Sequence, residues 1–287
     1  MNEQELERRR PVVGASEVGL LFGLPAFGGR TVSDLWYEKK FGTIRGGTGN
    51  ASTNLGTKLE PVVLEWAQER IGLPIVDRQK WVMVDCNGAT LDGRVINDGP
   101  VVEAKTSGVL WRADDSWGDD GSDEVPENYL LQVQAQMLVT GAELAYLAAL
   151  IGGRGFCMFE IKSHAGLQYA IRQKSTEFIA SLSLDDEPAN PPQLETLKRL
   201  RRQPKKVSPR SEEFEELRLQ LEEAKATAKE STTHVEQIQA RLLAMFGDAE
   251  AVECNGGLMT YYEQTTHYKA KPASETTFRV LRFKKGA

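Results

Sequence analysis

Cysteine is scarce in this chain: Cys86, Cys157 and Cys254 stand far apart, with no Cys-x-x-Cys pair among them. That spacing argues against a disulfide framework and against a thiolate-held zinc or iron–sulfur site, so any metal here is expected to be held by oxygen. Long apolar runs are missing too, and no stretch approaches the roughly 18 apolar residues of a membrane helix. The opening MNEQELERRR lacks the apolar centre of a signal peptide, which leads to the expectation of a cytoplasmic protein without a membrane partner. Positive charge is not in surplus either. A formal net charge of −6 speaks against a protein that coats nucleic acid non-specifically, while leaving room for a local basic groove. The few histidines, His164, His234 and His267, read as ordinary surface residues.

What is present is an ordinary balance, 40% hydrophobic and 26% charged, over 287 residues, ample for a large core. The first segment carries helix signals: Ser16 is placed to cap EVGLLFG, TVSDLWYEKKFG is amphipathic, and TKLEPVVLEWAQERIG ends at a glycine suited to a C-cap. KWVMVD, ATLDGRVI and PVVEAKT then read as short strands of an antiparallel meander. An acidic, glycine-rich stretch at 114–124 is expected to be a mobile loop. Pro126 and Gly141 bracket a helix, LAYLAALIGG and GFCMFEIK are strands, and HAGLQYAIRQKSTEFIASL is a further helix. The fold class is therefore α/β (α+β), with a mixed central sheet flanked by helices over residues 1–190.

Residues 191–210, with several prolines and a basic run from Lys198 to Arg210, read as a linker. In the extension 211–287, Phe214, Leu217, Leu221, Ala224, Ala228, Val235, Ile238, Leu242 and Met245 follow a 3–4 spacing that Ser231 completes. A helix over 211–246 with one apolar seam needs a partner; an intramolecular helical hairpin is preferred to a coiled coil between subunits, because small residues occupy part of the seam. The last forty residues, with GGLMTYYEQTTHYKA and TTFRVLRFKK, are expected to form a β-hairpin appendage.

The stretch TLDGRVINDGPVVEAKTS at 90–107 is the one that carries chemistry. Its strands flank the turn signal Asn97-Asp98-Gly99-Pro100, yet Asp92, Glu103 and Lys105 interrupt the apolar alternation. Glu103 and Lys105, two apart, share a face, and Asp92 lies on the neighbouring strand. Two close carboxylates repel unless a cation sits between them, and a hard divalent ion such as Mg²⁺ suits oxygen ligands. A lysine beside them can orient or deprotonate water, or offset charge on a phosphate. The plain alternative is that Asp-Gly is a turn pair and Glu-x-Lys a solvated strand face.

An Asp followed across a hairpin by Glu-x-Lys resembles the motif of the PD-(D/E)xK nuclease superfamily. VVGASEVGLLFGLP, LGTKLEPVVLEWAQERIG, TLDGRVI…VVEAKTS and LLQVQAQMLVTGAELAYLAALIGG occur in the order and spacing of the YqaJ-like viral recombinases, the phage lambda exonuclease group, over roughly residues 9–180. The resemblance implies a restriction-endonuclease-like core and a Mg²⁺-dependent exonuclease, with Mn²⁺ as a substitute and two ions. It further implies degradation of one strand of a duplex end from 5′ to 3′, leaving 3′ single strands for recombination by annealing. The implied partners are double-stranded DNA ends, an annealing or single-stranded DNA-binding protein, and further copies of the chain in a ring trimer, inside a bacterial host carrying a phage or prophage. By position, Asp92, Glu103 and the Ala104 carbonyl match metal ligands, Glu60 the helical glutamate that completes the site, and Lys105 the catalytic lysine. Gln132 matches the first glutamine of the Gln-x-Gln helix, with Gln134 as second choice. Thr90 matches a phosphate-contacting hydroxyl, and Arg9 or Arg10 with Ser16 matches a 5′-phosphate pocket. Alanine at 104 and Thr106-Ser107 after the lysine depart from the family's usual residues without removing a charge. The rival readings are an endonuclease or single-strand nuclease on the same fold, and a weakly catalytic module that binds DNA or a recombination partner.

Overall fold

The computed structural model describes residues 3–24, 29–43, 51–108, 116–263 and 265, with residues 3, 51 and 52 as backbone only. Two compact units are present, residues 1–202 and 203–287.

The first unit opens with α1 (Glu3–Arg9), β1 (Val13–Gly14), a 3₁₀ turn over Ala15–Glu17 and the short α2 (Val18–Leu21). Ser16 does not cap this helix; it lies inside the 3₁₀ turn, and the Glu17 carboxylate accepts the Gly14 N–H at 2.8 Å. α3 (Val32–Phe41) starts from Thr31, whose hydroxyl accepts the Asp34 N–H. The helix carrying TKLEP, α4 (Ala51–Ile71), begins earlier than its sequence signals indicate and runs through Pro61. Proline there removes one helical N–H donor.

Strands β2 (Ile75–Val76), β3 (Lys80–Val84), β4 (Asn87–Leu91), β5 (Gly93–Val95) and β6 (Val101–Ser107) follow. They do not make one meander. β4 lies between β1 and β3 in one sheet, whereas β5 joins a second sheet of order β2-β5-β6-β7-β8, and Asp92 is the residue at which the chain passes between them. The NDGP turn forms as expected: Asn97 and Asp98 both take positive φ, at 62° and 54°, which short polar side chains tolerate. α5 (Glu127–Thr140) starts after Pro126 and ends on Gly141 in the left-handed conformation. It links β6 to β7 (Leu144–Ile151), which runs parallel to β6; β8 (Gly155–Lys162) returns antiparallel at the edge. α6 (Ala165–Leu184) is capped by His164, whose ring nitrogen accepts the Leu167 N–H.

Two apolar clusters cover the faces of the larger sheet. Val101, Leu147 and Ala149 pack with Leu131, Val133 and Ala135 of α5, while Val102 and Ala148 pack with Val63 and Leu64 of α4. The described part of the acidic stretch is pinned rather than mobile. Trp117 is buried in the core, Asp120 accepts the Met158 N–H and pairs with Arg70, and Arg154 donates to the carbonyls of Trp117 and Gly118. The Asp120 carboxylate is thereby tied to the β8 edge.

The segment read as linker is also partly folded: α7 (Leu194–Arg199) and the buried Leu200 belong to the first unit, which ends at Arg202 rather than 190. Asp34 explains this, because its fully buried carboxylate accepts the Gln193 N–H at 2.7 Å as well as the Thr31 N–H at 2.8 Å. No local pattern in 191–202 announces that anchor.

The second unit contains α8 (Glu212–Phe246), capped by Ser211, and a hairpin of β9 (Ala251–Cys254) and β10 (Gly257–Thr260). The hairpin turns at Asn255-Gly256, and TTFRVLRFKK lies outside the described residues. The expected intramolecular helical hairpin is not formed among the described residues. Nor is any helix there long and apolar enough to cross a membrane.

Asp34→Ala should cost roughly 2–4 kcal/mol, since it removes two charge-assisted bonds from the Thr31 and Gln193 N–H groups to a buried carboxylate. Urea unfolding at neutral pH checks this; an unchanged midpoint would show that residues 191–202 are not anchored there.

Candidate active site

The site forms where β6 outruns β5. β5 pairs only with Val101 and Val102, so Glu103, Ala104 and Lys105 keep β7 on one side and face Asp92 on the other. The Ala104 N–H donates to Asp92 Oδ2 at 3.0 Å. A strand residue presents its N–H and C=O to the same side, so the Ala104 carbonyl is aimed at that gap as well.

Glu103 is the buried centre, 2% exposed. Its Oε1 accepts from Lys105 Nζ at 2.6 Å and from Gln132 Nε2 at 2.5 Å, and its Oε2 accepts from Gln136 Nε2 at 2.5 Å. Gln132 and Gln136 are one helical turn apart on α5 and point the same way. Gln134, two residues on from Gln132, points elsewhere: its amide donates to the Lys162 carbonyl and accepts from the His164 N–H and from Gln168. The second-choice glutamine therefore braces β8 and α6, and Gln136 takes the place beside Glu103. The helical period, rather than the Gln-x-Gln pattern, is the signal that identifies it.

Lys105 Nζ also lies 5.1 Å from the centroid of the Tyr129 ring. Burial alone would lower its pKa, but the attraction of Glu103 and the bond to it, reinforced by Asp92, outweigh burial and push it up. It is an ammonium at neutral pH. The Asp92 carboxyl is also raised, which here disfavours the charged form: burial first, then repulsion from Glu103, take it to about 8, against the Ala104 N–H and Lys105, which favour the charge. Glu60 contributes a weaker repulsion. Its carboxylate is held by Gln79 Nε2 at 2.7 Å. Among the described residues no three His, Cys, Asp or Glu side chains gather closely enough to close a metal shell, so Glu60 is near the pair without joining it.

The donor set nevertheless suits a hard divalent cation. It is all oxygen, two carboxylates and a carbonyl, and the raised proton affinity of Asp92 marks a place where a positive charge is wanted. Asp92, Glu103 and the Ala104 carbonyl are the residues that would hold it.

A second cluster adjoins this one through β4. Arg9 Nη2 donates to Thr90 Oγ1 at 2.6 Å, and Arg8 and Arg9 both lie over the Trp81 ring, 4.9 and 5.1 Å from its centroid. Arg9 Nε and Trp81 Nε1 are buried donors with no acceptor. Arg10 turns away, donating to the carbonyls of Lys39 and Lys40. The structure thus brings Arg9 and Thr90 together and separates Arg10 from them. Ser16 makes no hydrogen bond there among the described residues, and the Gly14 N–H beside it is taken by Glu17. Trp81 escapes a sequence reading because nothing distinguishes it from a strand-core aromatic. Its only trace is Gly88 on the paired strand, where a Cβ would meet the indole at 2.6 Å.

A consequence of the Asp92 environment is measurable without any activity. Its folded pKa of about 8 exceeds the unfolded value of roughly 3.9, so its contribution to stability, complete below the unfolded value, is lost as pH rises through about 8. Asp92→Asn should therefore raise the melting temperature of metal-free protein at pH 8–9, by roughly 2–4 °C or more, and should have little effect near pH 4. Thermal scans in chelator across that range check it, and a destabilised variant at pH 9 would contradict it.

Residues 6–143 match the model of the YqaJ-like viral recombinase domain. The chain is 28% identical over 182 residues to the uncharacterized protein YqaJ of Bacillus subtilis (strain 168), an alignment covering 61% of this chain and 54% of that protein, so the chain spans about half the relative's length. It is similar to the crystal structure of an alkaline exonuclease from Laribacter hongkongensis, with 19% identity, coverage of 64% of this chain and 94% of that one, and a TM-score of 0.48. It is also similar to a phage-related exonuclease from Haemophilus somnus 129PT, with 14% identity, coverage of 61% and 96%, and a TM-score of 0.46. Scores and identities this low say nothing about chemistry. The span that matches the YqaJ-like viral recombinase domain, residues 6–143, contains the Asp92, Glu103 and Lys105 cluster and the sequence segments around it.

Proposed function

We propose that this protein is a Mg²⁺-dependent exonuclease that digests one strand of linear duplex DNA from 5′ to 3′ and leaves a 3′ single strand for annealing. The single observation that carries the reading is the buried Glu103 carboxylate, held by Lys105, Gln132 and Gln136 beside an Asp92 that is costly to ionise. A structural ion pair has no need of the second carboxylate. The match to the YqaJ-like viral recombinase domain supports DNA as the substrate.

When bound, a divalent cation, Mg²⁺ or Mn²⁺ and in the family's manner two of them, supplies Lewis-acid chemistry at the scissile phosphate. The chain's own residues do the rest. Gln132 and Gln136 hold both oxygens of Glu103, so its remaining lone pairs keep a fixed direction. Lys105, held as an ammonium, orients water and offsets phosphate charge through its N–H groups; in this protonation state it donates rather than accepts a proton. The unsatisfied Arg9 and Trp81 donors suit an anion and support a 5′-phosphate pocket built with Thr90. By the same resemblance the working form is a ring of three chains in the cytoplasm of a bacterial host, delivering its product to an annealing or single-stranded DNA-binding protein.

The test is digestion of linear duplexes with 5′-phosphate or 5′-hydroxyl ends, beside a closed circle, by the protein and by Lys105→Ala. Loss of linear DNA only, slower on 5′-hydroxyl ends and reduced on the order of 10²-fold or more in the variant, is expected. Cutting of the circle would make it an endonuclease; equal activity in the variant would remove the site. The two glutamines separate in the same assay. Gln136→Leu should lower kcat about tenfold or more with little change in melting temperature, whereas Gln134→Leu should lower the melting temperature while kcat at low temperature stays within about twofold.

A further inference from the structure

α8 spans 35 residues, roughly 50 Å, and its apolar seam is bare: Leu217 is 56% exposed, Val235 52% and Met245 77%. A helix of this length with an unburied seam is not stable on propensity alone. Its own unit offers a short hairpin of four-residue strands and no second long helix among the described residues. From Phe214 to Met245 the seam alternates spacings of three and four without a break, which is the pattern of a coiled coil rather than of a helix lying on a globular core.

We propose that α8 pairs with α8 of a second copy of this chain, antiparallel and in register about its centre. Charge selects the direction. About the middle of the seam, residues 212–229 carry six glutamates against Arg218, Lys225 and Lys229, whereas residues 230–246 carry two glutamates against Arg241. A parallel pair lays the strongly acidic half on itself; an antiparallel pair lays it on the nearly neutral half of the other copy, with less repulsion.

Packing selects the register. With the helices opposed about a point between Ala228 and Ser231, Phe214 meets Met245 of the second copy, Leu217 meets Leu242 and Leu221 meets Ile238. The central layers then pair Ala228 with Ser231 and Ala224 with Val235. Large residues close both ends, and small ones let the middle approach closely. A parallel pair would instead stack Ala224, Ala228 and Ser231 each on itself, leaving three consecutive thin layers. Arg218, the cation a parallel pair would offer Glu213, is already engaged by Glu215 and Glu222 of its own helix. The inference is independent of the nuclease reading, and antiparallel pairing joins copies two by two whatever ring the first unit builds.

The test is the mass of the full chain in solution, by light scattering after gel filtration, for the protein and for Leu221→Lys/Ile238→Lys. The variant is expected at half the mass of the parent. Equal masses would overturn the proposal, whether the seam is covered by the chain's own residues or by a different protein. Orientation is read in a Cys86→Ser/Cys254→Ser background by mild oxidation of Leu217→Cys, of Leu242→Cys, and of their equimolar mixture. Cross-linked dimer in the mixture and in neither variant alone is expected; cross-linking of each variant with itself means a parallel assembly and overturns the antiparallel pairing. Should the lysine variant lose helix content, Leu221→Ala/Ile238→Ala, which keeps good helix formers in the seam, decides: it should weaken association several-fold, and an unchanged association overturns the pairing.

Discussion

Everything at the centre of this molecule depends on keeping one buried carboxyl group fully hydrogen-bonded inside the fold. Glu103 sits on a strand almost without water, and a buried charge is tolerated only when its lone pairs are met. Lys105 meets it from the same strand face, and Gln132 and Gln136 meet it from the helix that carries β6 over to β7. That arrangement fixes how α5 must be rotated on the sheet, because only one helical face presents both glutamines. The turn at Pro126 and the left-handed Gly141 bound the helix that makes this possible.

Asp92 is the other half of the constraint. It occupies the seam between two sheets, and its carboxyl is pinned by the Ala104 N–H in a place where Glu103 repels it. Such a carboxylate lowers stability in exchange for an electrostatic preference, and strained ionisation of this kind is characteristic of functional sites. The cost is met elsewhere in the first unit, in the two apolar clusters on either side of the sheet and in anchors such as Asp34 and Trp117 that tie distant segments to the core.

The parts legible in the sequence were those with a local period or a turn signature. The β5–β6 pair could be read because NDGP fixes the turn and period two puts Glu103 and Lys105 on one face. α8 could be read because its seam repeats without interruption. What escaped reading depended on distant partners. Ser16 looked like a cap, but Glu17 supplies the acceptor for Gly14 instead. Residues 191–202 looked like a linker because the group that holds Gln193 lies in α3. The acidic stretch looked loose because its anchors, Met158 and Arg154, belong to the edge strand and its turn. Gln136 was passed over because a two-residue motif was followed where helical geometry favours a four-residue step.

The central claim is that Asp92 and Glu103 together form a cation site. Calorimetric titration of the full chain with Mn²⁺ at pH 7–8, in buffers of different ionisation enthalpy, measures both binding and proton release. Binding accompanied by release of up to one proton, abolished in Asp92→Asn and in Glu103→Gln, is the result the account predicts. Binding of the same strength and proton balance in either variant would contradict it.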